Sequence, residues 1–60
     1  MKWIEALDPG LNDRPVLINA AFVETIRPFN VGQCFITLQG LGSQYKVMMA
    51  ADRLTAWLEQ

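Results

Sequence analysis

Few side chains in this sequence have the chemistry of an active site. Histidine is absent and Cys34 is the single cysteine, so the usual triads and imidazole acid–base chemistry cannot form. Glu5, Glu24 and Asp52 could in principle pair their carboxylates for proton transfer, but nothing in their spacing brings two of them together. We therefore interpret them as solvated charges on strand edges and at a helix start, and we predict no enzyme activity.

Cys34 has three possible roles. A nucleophilic or redox thiolate needs a nearby cation or a helix N-terminus to lower its pKa. Cys34 instead alternates with Ile36 and Leu38, which favours a small buried apolar side chain. A thiol at a subunit interface is the third alternative.

No metal site and no cofactor are predicted. Metal sites need clustered ligands, whereas the chain has one cysteine and scattered carboxylates. Gly40-Leu41-Gly42 is too short for a dinucleotide fingerprint and is more typical of a hairpin turn.

Turn residues divide the chain into short strand-like segments, and one amphipathic helix follows them. The predicted strands are Lys2–Leu7, Val16–Ile18, Phe22–Arg27, Gln33–Gln39 and Gln44–Met48, and the predicted helix is Ala50–Glu59. The first segment has the character of an edge strand. The pattern predicts one α+β domain spanning residues 1–60. We expect a small curved antiparallel sheet of four or five strands in meander order, a flexible loop at about residues 8–15, and the C-terminal helix packed on the sheet.

Strand alternation and helical spacing also predict the core. The predicted core residues are Ile18, Ile26, Cys34, Ile36, Leu38, Tyr45, Val47, Leu54, Trp57 and Leu58. A helix of about ten residues does not persist alone in water, so the apolar side of this one must pack against the sheet.

Four further apolar side chains are candidates for an exposed surface: Trp3, Phe29, Phe35 and Met48. Aromatic and methionine side chains are enriched in subunit interfaces, which is the interpretation we favour. Aromatic side chains flanked by cations can also stack nucleobases, and Lys46 and Arg27 are close to aromatic residues in the sequence. A net charge of −1 and dispersed cations disfavour nucleic acid, because phosphate binding depends on clustered Lys and Arg.

Size and composition favour self-association. A 60-residue chain is close to the lower limit for independent folding, and a single cysteine forms no disulfide within the chain. The composition is 52% hydrophobic and 18% charged, so we expect a homo-oligomer that could also bind an unidentified protein partner. An inhibitor or accessory subunit of a larger complex is a further alternative.

We expect a cytoplasmic location without membrane insertion, since no signal-peptide pattern or long apolar stretch occurs.

Part of the sequence follows a pattern made of Val16-Leu17-Ile18-Asn19, Phe22–Ile26, Pro28, Ile36-Thr37-Leu38, a glycine turn, Tyr45-Lys46-Val47 and a terminal helix. This pattern resembles the small flagellar FlbD/SwrD family of swarming-motility proteins. Many small β-rich bacterial and phage proteins share this layout. The Asp8–Arg14 loop and the Ala50-Ala51-Asp52 helix start depart from the family pattern. The resemblance implies a non-enzymatic accessory role and identifies no catalytic residues.

Overall fold

Hydrogen bonds from backbone N–H groups to side chains two residues earlier stabilise three turns between the strands. In the computed structural model, which describes residues 1–60, the Asp8 carboxylate accepts a hydrogen bond from the Gly10 N–H at 3.0 Å. The Asn19 side chain accepts one from the Ala21 N–H at 3.0 Å, and that of Asn30 accepts one from the Gly32 N–H at 3.0 Å. Such local bonds favour turns over continued strand pairing. Asn19 in this way caps the 3-10 turn at Ala20–Phe22.

The predicted α+β fold class is confirmed. Five antiparallel strands form one sheet, and a single helix follows them. The elements are β1 (Trp3–Asp8), β2 (Arg14–Asn19), β3 (Val23–Asn30), β4 (Gln33–Leu38), β5 (Gln44–Val47) and α1 (Ala51–Leu58), with 3-10 turns at Pro9–Leu11 and Ala20–Phe22.

The strand order is β2-β1-β5-β4-β3, which departs from a simple meander at one point. Strands β3, β4 and β5 follow one another as neighbours, but β1 pairs with β5, and β2 does not pair with β3. The prediction that β1 is an edge strand was wrong, because β1 lies between β2 and β5. The edges are β2 and β3.

A short link between the two edge strands forces the sheet to curl. In a flat sheet β2 and β3 would lie about 19 Å apart, whereas the four Cα steps from Asn19 to Val23 reach at most about 15 Å. Backbone hydrogen bonds connect this turn to the chain at both of its ends. The Ala20 N–H donates to the Lys2 carbonyl at 2.9 Å, and the Gln39 N–H donates to the Phe22 carbonyl at 2.8 Å.

Two predicted boundaries were wrong. Residues 8–15 are not a plain loop: they contain the end of β1, a 3-10 turn and the first two residues of β2, Arg14 and Pro15. Strand β3 continues through Pro28 to Asn30, with irregular register before Thr25 and after Pro28. Proline is tolerated in an edge strand where its missing N–H would face away from the ladder.

The core lies on the concave side of the sheet, beneath α1. Its fully buried residues are Ile4, Ala6, Ile18, Cys34, Ile36, Val47 and Leu54. Of the other predicted core residues, Ile26, Leu38, Tyr45, Trp57 and Leu58 are partly buried and pack against this cluster. Ile4 and Ala6 were not predicted. They are buried because β1 is an interior strand.

The two ends of the chain meet at the helix. The Lys2 ammonium donates to the carbonyls of Trp57 and Gln60 and lies 5.2 Å from the centre of the Trp57 ring. A cation stabilises the carbonyl end of a helix, so Lys2 holds α1 against the start of β1.

Leu54 should be the most sensitive position in the helix. It is 1% exposed, so Leu54→Ala is expected to lower the free energy of unfolding by about 2–5 kcal/mol, measured by urea titration with tryptophan fluorescence. Arg53→Ala, at an exposed position of the same helix, should change it by no more than about 0.5 kcal/mol. Equal losses for the two variants would contradict a packed helix.

Candidate interaction surface

Alternation along the strands divides the side chains between two faces. Ile4 and Ala6 of β1 point into the core, while Trp3 and Glu5 are exposed on the opposite side. The helix packs against β3 and β4 on the core side. The other side, which we call the outer face, has no covering element.

Four large apolar side chains associated with the outer face are more than half exposed. Leu17 is 68% exposed, Met48 61%, Phe29 57% and Trp3 52%. Single exposed apolar residues are normal on proteins, but contiguous apolar patches mark interaction sites.

A cross-strand row runs through the middle of the outer face. Leu7 of β1 pairs with Lys46 of β5, Lys46 pairs with Phe35 of β4, and Phe35 pairs with Arg27 of β3. Directly paired side chains in an antiparallel sheet are close enough to touch. Phe35 therefore stands between two cations.

Phe29 extends this row at the β3 edge. Its ring lies 5.0 Å from that of Phe35, centre to centre, at an interplanar angle of 64°. This edge-to-face contact is a favourable aromatic geometry. It brings together two of the side chains that were predicted as interface residues.

An apolar cleft lies between β1 and the end of β5 and extends from Trp3 and Met48 to the core residues beneath α1. Strands β1 and β5 pair only through Leu7 and Lys46, and β5 ends at Val47 before a bend. The cleft left between them has a volume of about 400 Å³. Trp3, Met48, Met49 and Trp57 contribute to its lining, and Glu5 is the one lining residue that is not hydrophobic.

The four predicted interface residues thus form two groups. Trp3 and Met48 line the cleft, whereas Phe29 and Phe35 are in contact. The Gln33 side-chain amide donates to the Met48 sulfur at 3.1 Å, which links the cleft to β4. Leu17, the most exposed of the four large apolar side chains on the outer face, was not predicted as an interface residue, because its strand Val16–Ile18 is apolar at every position and shows no alternation.

Charges on the outer face are few and partly paired. The Lys46 ammonium lies 3.6 Å from the Asp13 carboxylate. Glu5 is exposed on β1 and Arg27 on β3. No group of three or more His, Cys, Asp or Glu side chains is placed to hold a metal ion, and α1 is not long and apolar enough to cross a membrane.

Cys34 lies away from this surface. Its side chain is fully buried in the core cluster that also contains Ile36 and Val47, and burial raises the pKa of its thiol above that of a solvent-exposed cysteine. A thiol in this environment stays protonated and is a poor nucleophile.

The comparisons with known proteins identify no relative. No family model matches the chain, and neither do any of the curated proteins or solved structures with which it was compared.

The buried thiol predicts a pH dependence of stability. Well below the ordinary thiol pKa of about 8.5, both folded and unfolded chains keep the Cys34 proton. As the pH rises through this value, the unfolded chain loses the proton before the folded chain does, so the free energy of unfolding should fall. Urea titrations from pH 7.5 to 10 should show a steeper fall for the native sequence than for Cys34→Ala. Parallel pH profiles would show that Cys34 does not contribute in this way.

Proposed function

We propose that this protein is a small non-enzymatic interaction module that acts as a homo-oligomer, in an accessory or adaptor role. The observation that carries the proposal is the uncovered outer face, with Trp3, Leu17, Phe29 and Met48 each more than half exposed. Side chains of these types gain most from burial in a protein interface.

The size of the molecule is compatible with this role. The chain exposes 4200 Å², and a stable interface typically covers about 800 Å² of each partner. About a fifth of the surface would then be covered in a dimer. The remaining apolar surface, including the cleft, would be free for another protein.

The chemistry of the site supports a non-enzymatic role. Cys34 is enclosed in the core, and Lys46 is the only basic side chain held in a salt bridge, to the exposed Asp13. A cytoplasmic location and an accessory role of the kind implied by the FlbD/SwrD resemblance are part of the same proposal.

The proposal predicts association in dilute solution. Sedimentation equilibrium of the native chain at micromolar concentration should give a mass at least twice the 6.8 kDa of one copy, because the exposed apolar side chains are buried when copies associate. A folded species of 6.8 kDa over the whole concentration range would count decisively against self-association.

A second candidate function is binding of single-stranded nucleic acid on the outer face. The row in which Phe35 lies between Arg27 and Lys46 has the arrangement of a base-stacking platform with flanking cations. Two observations disfavour nucleic-acid binding: Lys46 is paired with Asp13, and the chain has a net charge of −1. We therefore rank this function below protein interaction.

A binding assay separates the two functions. Fluorescence anisotropy with a labelled single-stranded oligonucleotide, at low salt, should show no binding by the native chain, because two flanking cations are too few to hold a phosphate backbone. Binding that weakens steeply with salt, and that Phe35→Leu abolishes while Phe22→Leu does not, would establish the second function instead. Phe22 is also exposed but lies outside the row.

A further inference from the structure

The two free edges of the sheet differ in how well they could accept another strand. The β3 edge is irregular: its register with β4 shifts between Val23 and Thr25 and again between Pro28 and Asn30. It also carries the charged residues Glu24 and Arg27. Bulges, prolines and charges are the features that protect sheet edges from pairing.

The β2 edge lacks most of this protection. Strand β2 keeps regular register with β1 at every position from Arg14 to Asn19. Its charge and its proline are the first two residues, and Val16–Asn19 is uncharged and without a bulge. Edge strands of this kind are templates for pairing with another chain.

The hydrogen-bond pattern shows which backbone groups of β2 are free. The Ala20 N–H donates to the Lys2 carbonyl, and bonded pairs alternate along an antiparallel ladder. Val16 and Ile18 therefore direct their N–H groups toward β1. Leu17 and Asn19 direct theirs to the free side, where Pro15 has no N–H to offer.

We propose that β2 pairs antiparallel with β2 of a second copy, centred on Leu17, an assignment that rests on the proposed self-association. In this register the two Leu17 residues exchange both N–H···O=C bonds, and each Asn19 N–H donates to the Pro15 carbonyl of the other copy. About four backbone hydrogen bonds therefore form between the two copies of β2. The missing N–H of Pro15 falls at the outer limit of the pairing.

The side chains suit this pairing on both faces. Leu17 meets its own copy on the outer face, which covers the most exposed apolar residue of the sheet, at 68% exposure. On the inner face Val16 lies opposite Ile18 of the other copy. An apolar groove of about 420 Å³ lies beside β2 and is lined in part by Val16, Ile18, Leu38 and Tyr45.

Electrostatics do not oppose the pairing. Arg14 is the only charged residue of β2. The two-fold axis of the proposed dimer places the two Arg14 residues at opposite ends of the paired strands, about 20 Å apart. Their repulsion is screened at physiological salt, where the Debye length is about 8 Å.

A backbone variant tests the edge directly. Leu17→Pro removes an N–H that β1 does not use, as Pro15 already does two residues earlier, so the variant should fold. Sedimentation should show the native chain as a dimer and Leu17→Pro as a folded monomer, with folding checked by circular dichroism. Leu17→Thr keeps the N–H and should remain dimeric with about tenfold or less weakening.

A cross-linking measurement covers the case in which Leu17→Pro fails to fold. The proposed register puts the two Leu17 Cα atoms about 5.5 Å apart, within disulfide range. In a Cys34→Ala background, Leu17→Cys should therefore oxidise to a covalent dimer. Glu24→Cys, on the exposed β3 edge, should not.

The outcomes separate this inference from the proposed function. A native chain that is monomeric overturns both. A native dimer that persists in Leu17→Pro, or that gives no Leu17→Cys cross-link, overturns pairing through β2 and leaves self-association standing through another surface.

Discussion

The link from Asn19 to Val23 determines the shape of this molecule. It joins strands on opposite edges of a five-stranded sheet through a three-residue turn, so the sheet cannot be flat. The curl gives a concave side, which β strands and α1 fill with apolar side chains, and a convex outer face that no element covers. The single helix of these 60 residues packs on the concave side.

The proposed function follows from this division into two faces. The inner face holds Cys34, Ile36 and Leu54 in a core without a buried polar residue, and the packing of these side chains stabilises the fold. The outer face combines exposed apolar side chains with a regular, unprotected β2 edge. The self-association that we propose would remove apolar area from water and pair free backbone groups.

Local patterns were sufficient to predict the elements but not their arrangement. Alternation around Cys34 and the helical spacing of Leu54 and Trp57 gave the sheet and the helix within a few residues at each end. The pairing of β1 with β5 brings together residues far apart in sequence, and no local signal specifies it. The direction of Leu17 could not be read from an apolar triplet, since only the register decides which residue points outward. Pro28 looked like a strand end but lies in an edge strand, where proline is tolerated.

The central claim is that this small domain leaves one strand edge for another copy of itself. Amide hydrogen exchange of the native chain measures that edge directly, at the N–H groups of Leu17 and Asn19. The account predicts that both become protected as protein concentration rises, approaching Ile18 on the same strand. Exchange at unprotected rates for Leu17 and Asn19 at every concentration, beside a protected Ile18, would contradict it.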